Sequence, residues 1–432
     1  MGVLIVLLVL LAIYYRGSAR EIKRYEAVLR SVVFSRFGEG MDGVSSLRSY
    51  GVDKIFSEQL CDDVDNMLSA SFMLFAIQRW LGLRQDMASM LMFVVAGVLV
   101  IIERNNREPA TAGLVLSLML GAVQIVQVVV REWADVESSM TSAERLHGYA
   151  YKLPQEVDTG GKADESWPQI GEIDFNKVRM RYRPGLPESL KDVDLRVRAG
   201  EHIAIVGRSG AGKSSIVNAL FRLTDLSGGA ITIDGTSISD VKLQDLRNAL
   251  SIIPQDTTLF SGTVRSNLDH FDEISDERLW DALRTSGLGE VMHLSDVVAD
   301  EGANMSLGQR QLLALARVLV RNSKILVCDE ATAALDSETD DRIQRTMRMA
   351  FHDRTVLCIA HRLRTVLWYD RICVMDAGRV AEFGSPLELF RIKGGIFRDM
   401  CERLRITEEQ IEFQLSGWNA MRRRLRQDRR RR

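Results

Sequence analysis

Three groups of residues in this 432-residue chain have the types and the spacing to handle phosphate chemistry. The first is Gly207-Arg208-Ser209-Gly210-Ala211-Gly212-Lys213-Ser214, with Ser215 following. Glycines at these intervals let successive backbone N–H groups close around an anion, and a helix starting at their end adds the positive end of its dipole. Lys213 is then placed to reach β- and γ-phosphates, and the Ser214 hydroxyl to ligate Mg2+. The second group is Asp329-Glu330, two carboxylates closing a run of strand character at 324–328. One suits a Mg2+ ion and its water, the other an attacking water to be oriented or deprotonated. The third, residues 302–311, holds Ser306, Leu307, Gly308 and Gln309 at the start of a strong helical pattern, another helix end suited to an anion. Each taken singly has an ordinary structural reading.

The elements that must position these groups are legible around them. Residues 202–206 read as a buried strand running into the glycine-rich stretch, and 215–223 as the helix that leaves it. Further short strands, Leu250–Ile253, 324–328 and 355–360, end at Pro254-Gln255, at Asp329 and at His361. In open sheets of this kind ligands sit beyond the carboxyl ends of parallel strands. The expected fold class is therefore an α/β P-loop ATPase domain, spanning 169–405. Its ligands would be ATP and Mg2+.

The first third of the chain is different. Overall the chain is 46% hydrophobic with a formal net charge of −2, but its apolar residues are segregated into three runs, at 2–15, 87–102 and 110–130. A bilayer-crossing helix needs roughly 20 apolar residues. The third run qualifies, the second does if it extends toward Trp80, and the first is short. A signal peptide would need basic residues before the apolar core; here Arg16, Arg20, Lys23 and Arg24 follow it. Basic residues gather on the cytoplasmic side, so the first helix runs inward, and two further crossings return the chain to the cytosol near Arg131. An α-helical transmembrane segment over 1–150 is thus expected before the ATPase domain. About seventy residues between the first two spans exceed any simple loop; they read as two helices with a turn near Gly38-Glu39-Gly40. A polar linker at 151–168 follows, and a tail at 406–432 ends the chain, eight of its last eleven residues being arginine. That tail reads as solvated, with anionic lipid headgroups as the functional alternative. The five cysteines form no CxxC or Cys/His cluster, which fits a reducing compartment and excludes a zinc site or disulfide framework.

On the third membrane run Ser117, Gly121, Gln124, Gln127 and Arg131 recur at three- and four-residue steps and share one helix face. Amides in hydrocarbon are costly, so this face must meet protein or water. Inter-helix hydrogen bonding and the lining of a substrate path are both open, with Trp80 and Arg84 as contributors from a facing helix.

Met305-Ser306-Leu307-Gly308-Gln309-Arg310-Gln311 resembles the LSGGQ signature of ATP-binding-cassette proteins, in its LSxGQRQ form. The resemblance implies roles for further residues. Gln255 matches the Q-loop glutamine, Asp336 in Ala334-Leu335-Asp336 the D-loop, His361 the switch histidine, and Tyr182 the aromatic that stacks on adenine. Stretches 18–24, 37–43, 142–146 and 267–281 are similar to the C subfamily, the multidrug-resistance-associated proteins, in its second half. The resemblance implies two cassettes closing head to tail on two ATP molecules, with Lys213, Ser214, Gln255, Asp329, Glu330 and His361 acting on one and the signature around Ser306 capping the other. It implies export of small organic molecules, organic anions, conjugates or drugs, across a plasma, vacuolar or lysosomal membrane, with no nucleic-acid partner. A second nucleotide-binding domain and further membrane helices would come from the same longer protein or from a partner. Residues 31–38 resemble the coupling helix that docks on the opposite cassette. An ATP-gated regulatory subunit or channel on the same fold, and an inactive truncated fragment, are the alternatives.

Overall fold

A computed structural model describes residues 2–102, 109–158, 160–164, 166–329, 337–360 and 362–431. They form two compact units, one up to Gln155 and one from Glu156 onward.

The first unit is helical: α1 (Gly2–Asp42), α2 (Val44–Tyr50), α3 (Asp53–Ile102) and α4 (Pro109–Tyr151). At 1.5 Å per residue the 50 residues of α3 span about 75 Å, more than twice the ~30 Å of a bilayer core. Its apolar and polar halves therefore lie in different surroundings. Among the described residues α3 is the one helix long and apolar enough to cross a membrane by itself. The first and third apolar runs are helical too, as the beginnings of α1 and α4. The polar halves of α1 and α3 lie side by side: Arg36 pairs with Asp63, donates to Gln59 Oε1 at 3.2 Å and covers the Phe56 ring. The turn expected at Gly38–Gly40 falls later. The chain turns around α2, whose end is capped by Gly51 at φ 65°, a left-handed conformation that favours glycine. Residues 31–38, read as a coupling helix, are interior to α1, and the short separate helix of this hairpin is α2.

The second unit contains β1 (Ile173–Met180), β2 (Leu190–Val197), β3 (His202–Gly207), α5 (Lys213–Leu220), β4 (Leu226–Ile233) and β5 (Thr236–Ser237). It continues with α6 (Leu243–Ala249), β6 (Leu250–Ile253), β7 (Gly262–Thr263), α7 (Val264–Leu268), α8 (Asp276–Ser286) and β8 (Val297–Val298). Then come α9 (Leu307–Arg321), β9 (Ile325–Asp329), α10 (Ser337–Ala350), β10 (Thr355–Ile359), β11 (Arg371–Asp376) and β12 (Arg379–Gly384), followed by α11 (Pro386–Arg391), α12 (Ile396–Arg403) and α13 (Glu408–Arg431). A six-stranded sheet, in order β12-β11-β3-β10-β9-β6, is parallel except for the β11–β12 hairpin; an antiparallel sheet β2-β1-β4-β5 packs on it.

Alternation along β3 explains why its run is continuously apolar. Ile203 and Ile205 join the core shared with the antiparallel sheet, while Ala204 and Val206 join the core under α8, α9 and the C-terminal helices. A parallel strand covered on both faces needs apolar residues on both.

Two expected boundaries move. The linker at 151–168 is fastened to the second unit from Glu156 on. Glu156 pairs in bidentate fashion with Arg247, Asp158 accepts from the Leu243 N–H at 3.0 Å, and Trp167 Nε1 donates to the Ile233 carbonyl at 3.1 Å. The solvated tail expected from 406 is instead α13, whose Ile411 and Trp418 are buried and whose Leu415 and Met421 pack beside them. The spacing of these four repeats every three to four residues, the signature of an amphipathic helix, and the arginines around it mask the pattern.

Candidate functional site

β3 delivers the glycine-rich loop to the sheet's carboxyl edge. Gly212 adopts φ 98°, and a Cβ there would meet the Ser189 carbonyl oxygen at 2.8 Å; one on Gly207 would meet the Met375 carbonyl oxygen at 2.4 Å. Both positions exclude a side chain because neighbouring backbone closes on the loop. The turn between β11 and β12 braces it, the Gly378 N–H donating to the Ala211 carbonyl at 3.0 Å. Arg208, Ser209 and Gly210 stay exposed at the loop's tip. Lys213 is buried at the start of α5, and its ammonium group donates to the carbonyls of Gly207 at 3.0 Å and Arg208 at 3.2 Å. A cation is thus held inside a ring of backbone at a helix N-terminus, an arrangement that recruits phosphate oxygens. Ser214 is exposed beside it and Ser215 is buried.

Tyr182 lies two residues past β1, about half exposed. Its hydroxyl shares a 3.0 Å hydrogen bond with Ser215 Oγ and accepts from Asn218 Nδ2 at 3.1 Å. The tyrosine is therefore tied to the helix that leaves the loop.

The sheet order brings the other strand ends to the same edge. Ile359 of β10 stands opposite Asp329 of β9, and Cys328 opposite Ile253 of β6. The Ala360 N–H, just ahead of His361, donates to the Ile205 carbonyl of β3 at 3.1 Å. Lys213, Asp329, the start of the Gln255 loop and Ala360 hence converge from β3, β9, β6 and β10, far apart in sequence. Burial pushes the Cys328 thiol well above its ordinary value, which keeps the residue before Asp329 neutral. Glu330, Asp336 and His361 themselves lie outside the described residues, as do the side chains of Gln124, Gln127 and Arg131.

The Ser306 segment forms a separate feature. Ser306 caps α9: its Oγ accepts from the Gln309 N–H at 3.2 Å, while Gln309 Oε1 accepts from the Ser306 N–H at 2.9 Å. This capping box satisfies two N-terminal donors and ties the Gln309 side chain back to Ser306. Leu307 and Gly308 form the first turn. In the helical unit Trp80 and Arg84 pack together, the guanidinium 5.4 Å from the ring centroid, and Tyr14 of α1 meets the same tryptophan at 6.0 Å.

A glycine cradle on a parallel strand, a lysine at the following helix and an aspartate at a neighbouring strand end define a P-loop nucleotide-binding domain. Comparison narrows the class. Residues 190–333 match the ABC transporter family model, and residues 1–127 match the ABC transporter transmembrane region. The chain is 50% identical to the ABC-type transporter cicA of Emericella nidulans, over 93% of this chain and 30% of that protein. It is 43% identical to the oligomycin resistance ATP-dependent permease YOR1 of Saccharomyces cerevisiae, over 95% of this chain and 29% of that one. It is 42% identical to ATP-binding cassette sub-family C member 3 of Mus musculus, over 90% and 26%. The solved structure of a bacterial Atm1-family ABC exporter with ATP bound superposes with a TM-score of 0.80 at 27% identity, covering 93% of this chain and 73% of that one. The chain belongs to the ATP-binding-cassette transporters, of the C-subfamily, multidrug-resistance-associated type. It spans less than a third of the length of these three curated relatives.

Proposed function

We propose that this chain is the ATP-hydrolysing cassette, with its preceding membrane helices, of an exporter of small organic molecules. The observation that carries the reading is the cradle at the end of β3, where buried Lys213 donates into the loop's own carbonyls at 3.0 and 3.2 Å. ATP phosphates take over that ammonium group and the loop's N–H groups, and Tyr182 swings from Ser215 to the adenine. Ser214, Gln255 and Asp329 supply hard oxygen donors, the kind Mg2+ takes together with phosphate oxygens. When bound, Mg2+ neutralises charge on the β- and γ-phosphates. Glu330 aligns the attacking water and His361 acts on the same ATP as the switch histidine, while Asp336 is the D-loop aspartate.

Ser306, Leu307, Gly308 and Gln309 serve the ATP held by that second cassette. The second cassette and further membrane helices belong to the working assembly, in keeping with a chain that spans less than a third of its curated relatives' length. The chain crosses the membrane at α1, α3 and α4, with the cassette in the cytosol and the assembly in a plasma, vacuolar or lysosomal membrane. Relatives are named for oligomycin resistance and for bile acid transport; amphipathic anions and drugs are the matching substrate class here. Gln124, Gln127 and Arg131 line the path, with Trp80 and Arg84 facing it.

Lys213→Ala in the assembled transporter tests the reading: ATP-dependent uptake into inverted vesicles is lost along with ATP binding. Retained ATP binding by that variant sinks it. The chain expressed alone binds ATP but turns over slowly, because its own signature cannot cap its own ATP; rapid turnover by a monomer overturns the head-to-tail arrangement. Gln124→Ala with Gln127→Ala changes substrate stimulation of the ATPase while basal activity persists if these amides line the path; an unaltered substrate dependence removes them from it.

A further inference from the structure

The helix that begins at the signature also grips the loop that carries Gln255. Residues 254–261, between β6 and β7, have no regular structure of their own. Gln311 lies about one and a half turns into α9 and is only 4% exposed. Its amide Nε2 donates to the Gln255 carbonyl at 2.9 Å, and its Oε1 accepts from the Thr257 hydroxyl at 3.1 Å. Its neighbours Leu312, Leu313 and Leu315 are core residues. Burying an amide among them costs free energy that a leucine avoids, so the amide's place there is explained by the two bonds it makes. Two turns further along, Arg317 donates Nη1 to the Thr258 carbonyl and Nε to the Asn267 carbonyl, both at 2.8 Å. One rigid helix therefore holds the Gln255 loop at consecutive points.

We infer that Gln311 is a positioning residue for ATP hydrolysis: through the Gln255 carbonyl it sets where the Gln255 amide stands relative to the nucleotide. The same helix carries Ser306 at its N-terminus. Arg317 differs. It holds two backbone carbonyls of the surrounding segment and none at Gln255, so its contribution is to the fold. The inference rests on the role proposed above for Gln255.

The test is a double-mutant cycle on the assembled, ATP-hydrolysing transporter containing this chain. Gln255→Ala, Gln311→Leu and the double variant are compared by kcat, KM for ATP and melting temperature. Each single change lowers kcat roughly tenfold while KM stays within about twofold, and the double variant is no slower than the slower single, as for groups acting as one unit. Gln311→Glu replaces the donor by an acceptor while keeping size, and behaves like Gln311→Leu. Thr257→Val leaves the donor to Gln255 intact and keeps kcat within about twofold of the parent. Effects that multiply in the double variant overturn the inference. So does a loss of kcat that follows melting temperature across Gln311→Leu, Gln311→Glu and Thr257→Val. Lys213→Ala separates the two levels. Turnover insensitive to it means the ATPase reading has failed, whereas a Lys213-dependent ATPase with multiplying Gln255 and Gln311 effects removes only the coupling through Gln311.

Discussion

At its carboxyl end β3 opens into glycines, an exposed loop tip and the Lys213 ammonium group; at its amino end the same strand is sealed. His202 there is fully buried, with its ring centroid 5.5 Å from that of Trp368 and 5.1 Å from that of Trp418 on α13. Its Nε2 faces the Phe351 carbonyl at 3.0 Å and so carries the proton, and its backbone N–H donates to Asp370 at 2.9 Å. Arg422 of α13 bonds both oxygens of Asp370 at 3.0 Å and also reaches the carbonyls of Gly200 and His352. One end thus keeps polar groups available to a ligand, while the other covers them with rings and a guanidinium. A strand can present a loosely satisfied loop at one end because its other end is fastened by tertiary contacts. The comparison implies that substitutions at the open end change activity and leave stability, and those at the sealed end do the reverse.

The largest effect expected is on chemistry. Glu330→Gln in the assembled transporter lowers ATP turnover by about 10²- to 10⁴-fold, the range for loss of a positioned base, with ATP binding and melting temperature retained. Unchanged turnover would remove Glu330 from its role; a fall in melting temperature would blur the division between the two ends.

At the sealed end Trp418→Ala empties a buried aromatic site and destabilises the cassette by about 3–5 kcal/mol. Denaturant unfolding of the cassette measures it, and ATP bound per folded molecule stays constant. A stable Trp418→Ala cassette would mean that α13 contributes nothing to holding the strand.

A smaller effect follows from His202, which burial pushes down to about 4 from its ordinary 6.5, Arg422 and His352 lowering it and Asp370 opposing. In the unfolded chain this histidine takes up its proton near pH 6.5 and in the folded cassette only near pH 4. The unfolded state therefore binds more protons between those values, and stability declines as pH falls through that window, by about 2–4 kcal/mol in all. His202→Phe flattens that part of the stability profile. An equal slope in the variant would assign the pH dependence to carboxylates instead.

The smallest is Arg422→Met, which keeps the stem but removes the pairing with Asp370; it costs about 1–2 kcal/mol, as the pair is partly exposed to solvent. Urea titrations at low and high salt, where screening should narrow the difference, check it.

Individual residues show why some of this was legible and some was not. The loop at 207–214 announces itself because a backbone that wraps phosphate needs glycines at set places within eight consecutive positions. Letter matching alone would have misled elsewhere. Leu226-Ser227-Gly228-Gly229 is closer to LSGG than Met305-Ser306-Leu307-Gly308 is, yet it lies in β4. There Gly229 at φ 76° allows a bulge against Lys177, whose carbonyl oxygen would be 2.2 Å from any Cβ. What distinguishes the second tetrad is the capping box that starts α9. No turn forms at Gly38–Gly40, because glycine inside a long helix is tolerated when the helix packs on a neighbour; here Gly40 lies against Phe56.

By itself the order of residues determined the P-loop, the apolar strands leading to Asp329 and His361, the helical membrane-associated region and the family, since each rests on neighbours within one turn, strand or span. Only the tertiary structure decided that the arginine-rich end is a docked helix, that Glu156–Trp167 belongs to the cassette, and that Gln311 holds the Gln255 loop. Those outcomes depend on partners 52 to 91 residues away, Arg422 with Asp370, Gln311 with Gln255 and Glu156 with Arg247. Nothing local to a charged or amide side chain specifies which distant carbonyl or carboxylate it meets; packing of the sheet and its two cores brings those partners together.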